Sequence, residues 1–85
     1  MPTIFRHGGL RYFFYSNEGS PRERIHIHVM GAGRDAKIWL EPDISVADSF
    51  GFNPRELSDI LRVVSGRTDE IRKAWHEHFG DNGSF

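Results

Sequence analysis

Hydrophobic and polar residues alternate along much of the first forty residues, as they do in β-strands that bury one face. Turns that contain glycine separate the alternating runs, and such short turns favour antiparallel hairpins. The runs cover residues 3–5, 10–16, 25–30 and 36–40. This part of the chain therefore predicts a small antiparallel sheet of three or four strands.

The alternation also predicts which side of the sheet meets the core, because successive side chains of a strand point to opposite faces. The residues expected to share the buried face are Ile25, Ile27, Val29, Ala36, Ile38 and Leu40. The residues expected on the opposite face are His26, His28, Met30, Lys37 and Trp39. In the run 10–16 both parities are aromatic, which predicts that both faces of this strand are at least partly covered.

The periodicity changes from two to about 3.6 after residue 52, which is typical of amphipathic helices. Asn53 can cap a helix, Pro54 suits its first position, and Glu56 completes the spacing of a capping box. The apolar stripe of this helix consists of Leu57, Ile60, Leu61 and Val64. We expect the helix to end near Gly66.

A second helix is predicted from Thr68 to Gly80, with an apolar stripe of its own. That stripe consists of Ile71, Ala74, Trp75 and His78, so His78 is expected to be packed and His76 solvated. Residues 41–52 match neither pattern, and we assign no element to them. The order of elements predicts an α+β fold in which a two-helix hairpin packs on one face of the sheet. We expect one globular domain over residues 1–80 and a frayed tail over 81–85.

The composition, with 38% hydrophobic and 13% aromatic residues among 85, is that of a folded domain rather than a disordered chain. The absence of cysteine excludes disulfides, thiolate zinc sites and cysteine nucleophiles. No run approaches the roughly 20 apolar residues that span a bilayer, and the start "MPTIFRHGG" lacks the apolar stretch of a signal peptide. These features predict a cytoplasmic protein without a membrane partner.

The formal net charge of −1 conceals a basic first half. Its cations are Arg6, Arg11, Arg22, Arg24, Arg34 and Lys37. Any contact with nucleic acid would depend on this half, because the whole chain exerts no long-range attraction on phosphates.

Six motifs occur in order along nearly the whole chain: "MPTIF", "LRYFFYSNEG", "RIHIHV", "AKIWLEP", "GFNPREL" and "AWHEHFG". Together they resemble a family of small bacterial proteins that is classified as a domain of unknown function. Members of that family are frequently encoded beside a second small uncharacterised protein. The resemblance implies a toxin–antitoxin pair in which this chain is the toxin-like member and the companion protein is its partner. The family often has proline before the first histidine, where Ile25 stands here.

Histidines two positions apart can supply an acid and a base near neutral pH, and RNA cleavage needs both together with a cation. His26 and His28 are therefore the candidate catalytic residues. The candidates for binding RNA or a partner protein are Arg11, Tyr15, Arg22, Arg24, Lys37 and Trp39. Catalysis stays open, because no tight acid–base spacing is visible in the sequence.

Three other interpretations of the same residues stay open. The histidine pair could chelate a metal, but the nearest further ligands, in "WHEHFG", belong to the helical side; we predict no metal site and no cofactor. An ordinary exposed sheet face would also carry such residues. Finally, Phe13, Tyr15, Met30 and Trp39 would form an apolar patch for a companion protein or for a second copy of the chain.

Overall fold

The computed structural model describes residues 3–15 and 23–80, which form an antiparallel sheet followed by two helices. The strands are β1 (Thr3–His7), β2 (Leu10–Phe13), β3 (His26–Gly31), β4 (Arg34–Trp39) and β5 (Ser45–Phe50). The helices are α1 (Pro54–Gly66) and α2 (Thr68–Phe79). The strands lie in the order β1-β2-β3-β4-β5, with every neighbouring pair antiparallel. The predicted α+β class is confirmed, and the sheet has five strands rather than three or four.

Two tight turns set the register within the hairpins β1–β2 and β3–β4. Gly8 and Gly9 join β1 to β2 with φ of 59° and 79°, and Ala32 and Gly33 join β3 to β4 with φ of 52° and 76°. Positive φ at both central residues is the requirement of the type I′ turn, whose twist matches that of the strands it connects. Ala32 meets this requirement without being a glycine.

Strand β5 was not predicted, and a bulge explains why its pattern is hidden. Lys37 pairs with Asp48, but the next residue, Ile38, pairs with Val46, so Ala47 is an extra residue in β5. Val46 therefore shares the face of the buried Ile38, while Asp48 shares the face of Lys37. Regular alternation would have placed Val46 and Asp48 on the same face.

The aliphatic face predicted from parity is confirmed, and both helices pack against it. Its six residues are at most 5% exposed: Ile25, Ile27, Val29, Ala36, Ile38 and Leu40. From the helices, Ile60, Val64, Ile71 and Trp75 are buried in the same core. We call this side of the sheet the helix-covered face.

The start of α1 is the predicted capping box. The Asn53 side chain accepts a hydrogen bond from the backbone N–H of Glu56 at 2.8 Å, and the Glu56 carboxylate accepts one from the backbone N–H of Asn53 at 3.0 Å. In α2 the predictions for the two histidines are wrong. His78, expected to be packed, is exposed, and His76, expected to be solvated, is half-buried. No helix of the described residues is both long and apolar enough to span a membrane.

Candidate functional site

The side of the sheet opposite the helices carries the predicted site, and we call it the open face. Two rows of directly paired residues cross it. One row consists of Arg6, Arg11, Met30, Asp35 and Phe50; the other of Thr3, Phe13, His28, Lys37 and Asp48. Directly paired residues of antiparallel strands project from the same face. A third pair, His26 with Trp39, lies at the end of the sheet where β3 begins.

Cations lie over aromatic rings at several points of the open face. The Arg24 guanidinium lies 4.5 Å from the centre of the Trp39 ring, and the Lys37 Nζ lies 4.4 Å from the same ring. Lys37 also forms an ion pair with Glu23 at 3.2 Å. The ring contacts hold both cations in place, and Arg24 is exposed to a ligand, whereas the charge of Lys37 is already offset by Glu23. The structure thus brings together three predicted binding residues, Arg24, Lys37 and Trp39.

The aromatic residues of β2 extend this cluster across the sheet. The Arg11 guanidinium lies 4.3 Å from the centre of the fully buried Phe13 ring. Tyr15 contacts Phe13 and His28 edge to face, with centroid distances of 5.1 and 4.6 Å. A groove of about 230 Å³ runs beside these side chains, and its polar walls include His28, Lys37 and Asp48. Tyr15 and Arg11 are therefore on the predicted surface, whereas Arg22 lies outside the described residues.

His26 differs from the expectation that both imidazoles face solvent, because it is 0% exposed. Its Nδ1 donates to the carbonyl oxygen of Arg24 at 2.8 Å. Its ring meets Trp75 of α2 at a centroid distance of 5.2 Å and Trp39 at 5.4 Å. His26 lies beside Trp39, as strand alternation predicted. Trp75 of α2 reaches the same end of the sheet and helps to enclose the His26 imidazole. An enclosed imidazole has no surface on which to meet a substrate.

His28 keeps the position expected of a functional residue. It is half-buried, lines the groove, and is the direct cross-strand partner of Lys37. An imidazole beside an ammonium group could exchange a proton with a ligand whose negative charge Lys37 attracts. Catalysis by His26 and His28 stays a prediction, and of the two His28 is the residue that lines an accessible groove.

No metal site is formed by the described residues: within 3–15 and 23–80, no three histidine or carboxylate side chains are grouped to hold an ion. His26 and His28 lie with ring centroids 5.3 Å apart, and the side chains in ring contact with them are aromatic. Asp48 lines the same groove as His28, but it is not grouped with the two histidines as the third ligand that zinc requires.

Sequence reasoning missed the acidic and apolar half of the open face. Asp48 and Phe50 belong to β5, which was not predicted, and Asp35 was assigned to a turn although it lies in the first part of β4. Phe50 is 68% exposed. The hairpin turn at Ala32 and Gly33 was the signal that could have placed Asp35 in a strand, because a two-residue turn leaves it paired with Met30.

A larger cleft of about 440 Å³ lies on the other side of the molecule, between the β1–β2 turn and α1. Its charged groups satisfy one another. Arg34 pairs with Glu56, and Arg62 pairs with Asp59 at 3.1 Å. The hydrogen bond from the Asn53 backbone lowers the pKa of Glu56, and Arg34 lowers it further.

At the floor of the same cleft, burial raises the pKa of the Tyr12 phenol, and the nearby Arg67 offsets only part of this rise. A neutral buried phenol and paired charges are features of a structural region. The open face is therefore the stronger candidate for function.

Comparison with protein families gives a match to the model described as Domain of unknown function (DUF4160), over residues 9–76. The chain belongs to the DUF4160 family. The matched region runs from the β1–β2 turn into α2 and contains every residue of the open face from Arg11 to Phe50. No curated protein and no solved structure matches the chain.

Proposed function

We propose that this DUF4160 protein is the toxin-like member of a two-component pair and acts by binding a macromolecule through its open face. The favoured partner is a small companion protein encoded nearby. This proposal combines the gene arrangement implied by the sequence motifs with the character of the exposed surface. It requires no cofactor.

The observation that carries the proposal is the location of the exposed apolar side chains. Among the described residues, the large hydrophobic side chains that remain exposed are Tyr15, Met30 and Phe50, at 36%, 38% and 68%. Tyr15 and Met30 line the groove on the open face, and Phe50 lies in the same row as Met30. The helices cover the other side of the sheet. Exposed aromatic residues and methionine gathered on one surface are typical of protein interfaces.

The charges of the open face favour a protein partner over a nucleic acid. Asp35 and Asp48 stand in the same rows as Arg11 and Lys37, and Lys37 is already paired with Glu23. Carboxylates beside the cations would repel a phosphate backbone, whereas a protein surface can offer both signs of charge.

RNA is the second candidate, supported by the cluster of Arg24, Lys37 and Trp39 at one end of the open face. Arg24 is exposed and could contact a phosphate, while Tyr15 offers a ring for base stacking. If RNA is also cleaved, His28 is the acid or base that lines the groove and Lys37 the cation beside it.

The protein arm of the proposal is tested by co-expressing the chain with the companion gene, followed by a growth assay and a pull-down. We expect a complex in which Phe50→Asp weakens binding at least about tenfold, because it places a charge in an apolar contact. Ser58→Asp, at an exposed position of α1, is the matched control and should bind as the parent does. A complex that tolerates Phe50→Asp and Met30→Asp alike would not use the open face.

The RNA arm is measured by titrating the purified chain against single-stranded RNA at several salt concentrations. If RNA is the ligand, affinity falls as salt rises, and Arg24→Ala reduces both the affinity and the slope. A chain that binds neither RNA at low salt nor the companion protein contradicts the proposed function.

A further inference from the structure

We infer that two copies of this chain close their open faces on each other, related by a two-fold axis that runs along β3. The inference rests on the proposed function in using the open face as the docking surface, and it names a second copy as the occupant of that face in the chain purified without its companion. Its basis is the order of charges along the row through Met30, which is complementary to itself under this symmetry operation.

The axis follows from the position of β3 at the centre of the five strands. Rotation about an axis along β3 lays each strand over the strand that is equally far on the other side. In the face-to-face pair, β2 of one copy lies over β4 of the other, and β1 lies over β5. In an isologous interface of this kind, each contact away from the axis occurs twice and each contact on the axis occurs once.

The row through Met30 shows the complementarity. In strand order it carries Arg6, Arg11, Met30, Asp35 and Phe50. Across the axis, Arg11 meets the partner's Asp35, and Arg6 meets the partner's Phe50. Met30 meets the partner's Met30 on the axis itself. These are two ion pairs, two cation–ring contacts and one apolar contact, all from groups that are exposed or half-buried in the single copy.

The other in-plane axis, perpendicular to the strands, gives the opposite result. This axis lays every strand over the same strand of the partner copy. When a row lies on the axis, each of its residues faces the same residue of the partner. In the row through Met30, Arg11 would face Arg11 and Asp35 would face Asp35. In the row through His28, Lys37 and Asp48 would each face themselves. Like charges opposed in this way are unfavourable, so the charges favour the axis along β3 over a perpendicular axis that passes through either row.

The size of the surface predicts a weak dimer. Strand spacing of about 4.8 Å and a rise of about 3.3 Å per residue limit the open face to roughly 500 Å², and part of that area belongs to Phe13 and His26, which are already buried. Two such faces therefore bury at most about 1,000 Å² in total, which is near the lower limit of specific interfaces. We therefore expect association in the micromolar range rather than an obligate dimer.

Charge-reversal variants of the full chain test the inference by sedimentation equilibrium. Arg11→Asp places a second carboxylate opposite the partner's Asp35, and Asp35→Arg places two guanidinium groups opposite each other; each variant should raise the dimer Kd at least about tenfold. Within one copy Arg11 and Asp35 are about 10 Å apart, because β3 lies between their strands. Neither change therefore removes a direct ion pair inside a copy.

Mixing the two variants is the decisive measurement. In the heterodimer, the aspartate introduced by Arg11→Asp faces the arginine introduced by Asp35→Arg. At the second site, the unchanged Asp35 of the first variant faces the unchanged Arg11 of the second. Both sites therefore hold an arginine–aspartate pair. An equimolar mixture should therefore dimerise through one acidic and one basic variant, although each variant alone is monomeric. Recovery in the mixture also shows that both variants are folded. Arg55→Asp, an exposed position of α1, is the matched control and should leave the parent Kd unchanged.

Three results would overturn the inference: a parent chain that stays monomeric at concentrations well above the micromolar range, single variants that dimerise like the parent, or a mixture that stays monomeric. A monomeric parent that binds the companion protein through Phe50 overturns the dimer alone. A parent that dimerises as described but binds neither companion nor RNA supports the dimer and contradicts the proposed function.

Discussion

The two faces of the sheet are built from alternating residues of the same strands, yet they differ in composition and cover. In β3, Ile27 and Val29 on the helix-covered face are 0% exposed, whereas Met30 on the open face is 38% exposed. Parity decides the side on which a residue projects, and the elements packed on that side decide whether it is buried. His26 separates these two effects, because it has the parity of the open face and the burial of the core.

The largest expected effect contrasts the faces within one strand. Ile27→Ala removes buried methyl groups and leaves a cavity under the helices, so it should cost about 2 to 5 kcal/mol of unfolding free energy. Met30→Ala, on the open face of the same strand, should cost less than about 1 kcal/mol. Urea unfolding followed by tryptophan fluorescence measures both. Equal losses would mean that the open face is covered as fully as the other.

The second comparison concerns the two histidines. His26→Ala should lower the unfolding free energy by about 1 to 3 kcal/mol, because the enclosed ring and its hydrogen bond to the Arg24 carbonyl are lost. His28→Ala removes a half-buried ring at the edge of the groove and should cost about 1 kcal/mol or less. Thermal and urea unfolding of both variants gives the difference. A larger loss for His28 would contradict the structural role assigned to His26.

Alkaline titration probes the helix-covered face through Tyr12. Burial raises the pKa of this phenol, so the folded state keeps its proton at a pH where the unfolded chain loses it. The resulting stability is fully present below the pKa of an unfolded tyrosine, about 10, and is lost as pH rises through the folded pKa. Tyr12→Phe should show a smaller alkaline loss of stability than the parent.

Ultraviolet absorbance provides an independent reading of the same group. In Tyr15→Phe the remaining tyrosine is Tyr12, so the appearance of tyrosinate reports its ionisation alone. We expect the transition above the range of an exposed tyrosine. A transition at or below that range would contradict the burial of Tyr12 under α1.

The smallest expected effect is on the acid side, at Glu56. The Asn53 backbone and Arg34 lower the pKa of this carboxyl, so it stabilises the folded state above the unfolded pKa of about 4.3. That contribution is lost as pH falls through the folded value. Glu56→Gln should therefore flatten the acid limb of the stability profile, measured by urea unfolding at successive pH values. If Glu56→Gln left the acid part of the stability profile unchanged, the capping contact would not distinguish the ionised Glu56 carboxylate from its protonated form.

Much of the fold was predictable, because its signals are local. The alternation over residues 25–30 and 36–40 identified all six aliphatic residues of the helix-covered face, and the capping box marked the start of α1. In contrast, β5 was missed because the extra residue Ala47 reverses the alternation between Val46 and Asp48. A bulge is specified by pairing with β4, and a pattern of one strand alone does not reveal it.

The candidate site was predictable only in part. Lys37 and Trp39 were assigned by parity to the side of the sheet on which they lie, whereas Arg11 was named as a binding residue without a parity assignment. The acids that oppose them were missed with β5 and with the first residues of β4. His78 was expected to be packed from its helical spacing, but its side chain is exposed, and the next residue, Phe79, packs against the core instead.

The amino-acid sequence alone determined the direction in which the residues of β3 and β4 project and the starts of both helices, because backbone geometry links these features to neighbouring residues. Tertiary structure alone decided that Trp75 encloses His26 and that Arg11, Met30 and Asp35 form one row. Those relations join residues far apart along the chain, and they depend on strand register and helix packing. For this reason the chemistry of the open face became visible only once the five strands were aligned.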